Sequence, residues 1–238
     1  MTRPLFLTLP LFFVFVAAVV IVPGLSQQEK PRSHAPKVFD ESRFPIAEYS
    51  AEEPTDAAER AQRLARGKKY DKSEWRVNAN AVSDSMVRVD FVDRDLPALP
   101  FEQSSAVIVG QVTNAHAYLS NDKSGIYSVF TIQVNEILKN SSKNPLIIGT
   151  ALEVERDGGR VRFPNGKLHL YKIAEQDMPK TGLRYVLFLT GDESNFQILT
   201  GYELRDSKVY PLDDLPKLRS FENADELTFL SEIRTKKL

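Results

Sequence analysis

The sequence predicts a mainly β domain, a small antiparallel barrel with a helix at its C-terminus, preceded by an apolar N-terminal helix and an extended tether. Three observations predict it. Side chains alternate between apolar and polar with a period of two from about residue 86 onward. Turn signals rich in Gly, Pro, Asn and Asp recur between the short apolar runs. An apolar, uncharged run, Leu5 to Val22, opens the chain, and no cysteine occurs anywhere in its 238 residues.

The opening run is 18 residues long, with Arg3 before it and no charge inside it. That length exceeds the usual apolar core of a signal peptide and just suffices to span a bilayer. Gly24 and Ser26 are small and two apart, which suits cleavage after Ser26. Residues 1–26 therefore read as a cleaved signal or as an uncleaved anchor. Both readings leave Arg3 on the cytoplasmic side and place the body outside, secreted, periplasmic or tethered to the cytoplasmic membrane. A buried core helix is the competing structural reading, but core helices rarely run so long with so little polar surface. Contact with membrane is expected only through residues 5–22, if they are retained. A chain of this size can bury a core without disulfides, and their absence leans toward a bacterial source.

Residues 27–80 read as a disordered linker carrying one short basic helix. Pro31, Pro36, Pro45 and Pro54 punctuate a polar stretch poor in core residues. Asp56 with Glu59 fits a capping box, and Ala57, Ala61, Leu64 and Ala65 supply a thin apolar stripe. Gly67 is placed to stop that helix. Residues 81–238 read as the barrel domain. A strand is expected near 86–91 and a long one from Ala106 to about Leu119. In the following strand, Phe130, Ile132 and Val134 face one way and Thr131, Gln133 and Asn135 the other, as in a half-buried antiparallel strand. Turns at Asp157-Gly158-Gly159, Phe163-Pro164-Asn165-Gly166, Gly191–Asn195 and Asp206-Ser207 separate the remaining strands. Tyr185 to Leu189 is apolar on both faces and reads as a central strand. The closing helix, 223–237, takes Asn223 and Glu226 as its capping box and Leu227, Phe229, Leu230 and Ile233 as its apolar face. One helix beside a closed sheet is placed to plug an end of it.

Function is harder to read. Net charge is −1, so no global field attracts nucleic acid. Absence of cysteine removes thiolate metal sites, redox pairs and cysteine nucleophiles. The three histidines, His34, His116 and His169, lack metal-ligand spacing, and no glycine-rich phosphate loop is present. No cofactor, no metal and no catalytic residue is therefore assigned. Ser120-x-x-Lys123 with Lys180-Thr181-Gly182 resembles the motifs of penicillin-binding serine enzymes, but Ser120 sits in a turn rather than at the start of a helix. Glu153 and Glu155 share a strand face, and with Glu203 they form the acid/base set of an alternative reading as a glycosidase-like hydrolase. A basic stretch, Arg60 to Arg76, with Tyr70 and Trp75 in it, offers a surface for anionic lipid headgroups, acidic glycan or nucleic acid, but reads first as a solvated helix balanced by Glu52, Glu53, Asp56 and Glu59.

The layout of long strand, alternating strand, turn at Lys139-Asn140, strand pairs and late helix resembles an oligonucleotide/oligosaccharide-binding (OB) barrel. It is similar also to the netrin-like domain of tissue metalloproteinase inhibitors over about residues 101–235, without that family's cysteines. The runs Asp157-Gly158-Gly159-Arg160-Val161-Arg162-Phe163-Pro164-Asn165-Gly166, Gly182 to Leu189, Leu199 to Leu204 and Val209 to Asp213 resemble exported bacterial proteins of the Acidobacteria type. That family brings no activity with it. The resemblance to OB barrels implies ligand binding on an open strand face. Tyr118, Tyr127, Tyr171 and Tyr202 are the candidate stacking residues. The expected function is non-enzymatic binding of a protein or glycan in the envelope or outside the cell. A structural subunit of an envelope complex remains a further alternative.

Overall fold

The computed structural model describes residues 39–72, 85–92, 94–141, 145–191 and 195–236. The apolar run Leu5–Val22, His34, Trp75 and Arg76 lie outside them. Among the described residues, no helix is long and apolar enough to cross a membrane.

The fold is mainly β, with ten strands and two α-helices among the described residues. Five strands form a ring. β3 (Ala106–Leu119) pairs antiparallel with β4 (Ile126–Asn140), and β4 with β5 (Ala151–Asp157). β9 (Gln197–Arg205) meets β5 through a short parallel step, Glu155 opposite Gln197. β8 (Arg184–Thr190) lies between β9 and β3 and closes the ring. Register shifts at three places along the β3–β4 ladder let this long hairpin coil around the ring. β10 (Lys208–Pro211) extends β9 through a turn in which Asp206 and Ser207 both take left-handed backbone, at φ 53° and 57°.

Alternation does the sorting. Ile108, Val112, Phe130, Ile132, Val134, Val154, Tyr185, Leu187 and Leu189 fill the ring. Their odd-and-even complements on β3 and β8, Val107, Val109, Val186 and Phe188, face outward and need a second cover. That cover is α2 (Glu226–Thr235), through Phe229, Leu230 and Ile233. The closing helix thus packs on the outside of the ring rather than plugging an end, because β8 is apolar on both faces. Its cap is Asp225, whose carboxylate accepts from Thr228 N–H at 3.0 Å, not Asn223, which turns the chain at φ 63°. Leu227, read as part of the apolar face, is exposed.

A second sheet runs in the order β1 (Ile46–Glu48), β6 (Gly159–Arg162), β7 (Leu168–Ile173), β2 (Ser85–Asp90). β6 and β7 form the expected hairpin, with Gly166 at φ 83° in its turn. β1 and β2, however, join parallel to β6 and β7, so the strands are not all antiparallel. Ala47, Val161, Phe163, Tyr171 and Ile173 of this sheet pack against Ala117 and Ile126 of the β3–β4 hairpin.

The segment read as linker is part of the fold from residue 39 to 72. Phe44 is fully buried within the ring core, and Ile46–Glu48 is hydrogen-bonded to β6. Its polar composition hid this, because one aromatic plug and a three-residue edge strand suffice to hold it.

Candidate functional site

The site grows from the way α1 (Ala57–Lys68) is held. Asp56 caps it, its carboxylate accepting from Glu59 N–H at 2.8 Å as the sequence predicts. Almost none of the helix is apolar surface in contact with the body, and Gly67 is its one buried residue. Gly67 does not stop the helix. It lets the helix approach the β3–β4 turn, where a methyl group would lie 2.3 Å from Asn121 Oδ1. Asn121 in turn donates to Leu64 O at 2.9 Å. Gly125 performs the matching service on the turn, since a methyl there would meet Tyr70 O at 2.3 Å.

Polar contacts supply the rest. Arg66 lies 2.7 Å from Glu153, and its Nε sits 3.1 Å from Glu155 Oε1, off the hydrogen-bond direction. Lys69 Nζ is 3.2 Å from Glu155 and also donates to Asn195. Tyr70 stacks on Tyr127 with centroids 4.5 Å apart and planes 7° from parallel, and its hydroxyl donates to Glu155 Oε2 at 3.0 Å. Burial pushes the Tyr127 phenol up to about 12, and burial beside Glu155 raises that of Tyr70 further. Tyr70 therefore meets the Glu155 carboxylate as a neutral hydroxyl donor.

Between α1, the segment from β1 to Pro54, the end of β3 and the β3–β4 turn lies a cleft of about 410 Å³. Tyr118 and His116 come from β3, Tyr49 from just past β1, Arg60 and Arg63 from α1, and Asn121 and Lys123 from the turn. The Arg63 guanidinium stands 4.9 Å from the Tyr118 ring centre, and Lys123 Nζ stands 4.3 Å from that of Tyr49. The turn is rigidly built. Ser120 Oγ accepts from the Ser124 and Gly125 N–H groups at 3.0 and 2.9 Å and donates to Asp122 at 2.9 Å. Hydrogen bonds from the Ser124 and Ser120 hydroxyls hold the Asp122 carboxyl down at about 2. Ser120 Oγ is thus committed to the turn, and Lys123 Nζ lies over the Tyr49 ring, so the Ser120-x-x-Lys123 spacing assembles no nucleophile.

Of the four candidate stacking tyrosines, only Tyr118 lines the cleft, and it is half-buried. Tyr127 lies under Tyr70. Tyr171 is 4% exposed, its hydroxyl donating to Asp90 at 2.8 Å. Tyr202 is fully buried against Phe221 and Phe229, with its hydroxyl on Ala98 O. These three corrections share one cause. Strand faces that alternation leaves outward are covered by Tyr70 just past α1, by the residue 88–90 stretch of β2 and by α2.

Among the carboxylates, Glu153 and Glu155 share a face as expected, but Arg66 engages both. Glu203 has different partners, Arg43 at 2.9 Å and Arg205 at 3.2 Å, so the three do not share one constellation. His116 is exposed at the cleft, with its Nε2 3.0 Å from Asn114 Nδ2, and His169 is buried edge-on to Phe163. No group of three or more metal-ligating side chains occurs among the described residues.

Sequence reasoning missed Tyr49 and the role of Tyr70, and read Arg63 as solvated. The run Phe44-Pro45-Ile46-Ala47, apolar inside a polar stretch, was the available signal for the first. No protein-family profile and no curated protein matches this chain, so a functional reading rests on the cleft and its neighbours.

Proposed function

We propose that the chain is an exported, non-enzymatic binding domain built on an OB-type barrel, and that its ligand is a glycan held in the cleft between α1 and the β3–β4 turn. The pairing order supports the barrel reading. The first three ring strands form a meander, and the last joins the third in parallel and the fourth antiparallel, as in OB barrels. α2 on the outer wall fits the netrin-like variant of that layout. Export is supported by the apolar run Leu5–Val22.

The observation that carries the binding reading is the cleft's lining. Two aromatic rings, Tyr49 and Tyr118, stand among side chains that donate and accept hydrogen bonds, His116, Asn121 and Glu48. Such sites bind ligands that are part apolar face and part hydroxyl, which describes a pyranose. Engagement of Glu153 and Glu155 by Arg66 supports binding over hydrolysis. The β4–β5 face, where OB barrels bind, is occupied by Tyr70, which moves the open surface to the cleft beside it.

The test is a glycan array probed with the purified full chain and with Tyr118→Ala. Binding of a glycan class by the wild type, and its loss in the variant, is the expected result. Undiminished binding by Tyr118→Ala, or capture of a protein partner with no glycan bound, overturns this reading. Cell fractionation with N-terminal sequencing tests export separately.

A further inference from the structure

We infer that the cleft selects an anionic glycan, one carrying carboxylate or sulfate groups, through Arg63 and Lys123. This rests on the reading of the cleft as a glycan site. The argument begins with how the two cations are held. Each lies over an aromatic ring, Arg63 over Tyr118 and Lys123 over Tyr49. A ring attracts a cation through its quadrupole and positions it without neutralising it. The N–H donors that do not face the ring stay available to an anion.

The carboxylates of the lining do not fill that role. Glu48 pairs with Arg162 at 2.9 Å, outside the cleft, and Glu53 lies 3.7 Å from Arg60. Among the described residues, no carboxylate lies within ion-pair distance of Arg63 or Lys123. Arg63 instead donates to the backbone carbonyl of Glu52 at 3.4 Å. Arg66, three residues along the same helix, shows the contrast, being taken up by Glu153 and Glu155.

Both cations are also pre-placed. Arg63 rides on a helix anchored by Arg66, Lys69 and Tyr70. Lys123 sits at φ 57° in the turn fixed by Ser120, Asp122 and Ser124. Pre-placement lowers the ordering cost of binding, so the charge is spent on the ligand. The two come from different walls, α1 and the turn, and so favour a ligand with more than one acidic group along its length. A repeating acidic sugar has that form, while its ring faces and hydroxyls meet the aromatic and polar lining.

The experiment is calorimetric titration of the full chain with three oligosaccharides of equal length: a uronic-acid oligomer, a sulfated oligomer and a neutral one. It is run on the wild type, Arg63→Gln, Lys123→Gln and Arg205→Gln. The last removes a similar cation-over-ring pair, Arg205 on Tyr210, outside the cleft. At least one acidic oligomer is expected to bind about tenfold or more tighter than the neutral one, with each cleft variant losing about tenfold. Arg205→Gln is expected to bind as the wild type does. The stronger of the two acidic arms identifies the acid. Equal binding of neutral and acidic oligomers overturns the charge selection and leaves the glycan reading standing. Binding of none of the three, together with an empty glycan array, removes the glycan reading itself. A poly-glutamate peptide that matches the best oligomer and responds to the same variants overturns the assignment to glycan. Circular dichroism and melting temperature confirm that each variant is folded.

Discussion

Replacing Glu155 by Gln separates two accounts of the same residue. As an acid or base it would be dispensable to the fold. Here it is the pin that holds α1. Glu155 is 1% exposed, with Arg66, Lys69 and the Tyr70 hydroxyl at 3.1, 3.2 and 3.0 Å. A hydrogen bond to a charged group contributes about 1.5–3 kcal/mol, and removing one partner of a fully buried ion pair costs about 3–5 kcal/mol. Three features reduce the figure. Arg66 keeps Glu153, and Lys69 keeps Asn195. Glutamine also retains one acceptor oxygen for the Tyr70 hydroxyl. The expected loss is about 2–3 kcal/mol, which for a chain of this size lowers the melting temperature by about 4–12 °C. Glu153→Gln is the internal comparison. Its carboxylate is half exposed, and its pair with Arg66 is worth under about 1 kcal/mol. The assay is urea unfolding of both variants, with amide exchange across residues 57–70 to show whether α1 loosens first. Equal destabilisation by the two variants, or an α1 that exchanges no faster in Glu155→Gln, would refute the argument.

Other outcomes follow from separate parts of the fold. Asp213 is buried between Arg156, at 2.6 Å, and Arg94, at 3.5 Å, and also accepts from Asp177 N–H at 3.0 Å. Asp213→Asn strands two buried cations and should cost about 3–5 kcal/mol by urea unfolding. Arg156→Met should cost less, because Arg156 Nε and Nη1 already lack partners. Phe44→Ala should cost about 3–5 kcal/mol if the segment from residue 39 is integral to the core, and nearly nothing if it is a tether. Burial raises the Asp157 carboxyl above its ordinary value, despite Lys72 at 3.0 Å. The folded state then holds that proton more tightly than the unfolded chain, so this contribution is present below the ordinary carboxylate range and lost as pH rises through the raised value. Urea midpoints between about pH 3 and 7 should show this decline in the wild type and not in Asp157→Asn.

Much of the architecture was legible in the chain. Strand period, turn residues and the Asp56 cap are local properties. β3 and β7 accordingly span the residues that alternation marks, Ala106–Leu119 and Leu168–Ile173. The paired placement of Glu153 and Glu155 on one face follows from the same period of two. The site was far less legible. Tyr118, Tyr127, Tyr171 and Tyr202 look alike in sequence, each an aromatic in a strand, and which of them meets solvent depends on what covers the strand.

The amino-acid order by itself determined that the body is a β structure with a terminal amphipathic helix, because the propensities and periods responsible act over a few residues. Only the tertiary structure decided that a polar, proline-rich segment supplies a core plug, that α1 lies over the β4–β5 face, and that the cleft opens beside it. Those outcomes hinge on contacts between residues more than 50 positions apart, where one glycine-permitted approach and a few charge pairs select the docking and leave no periodic trace.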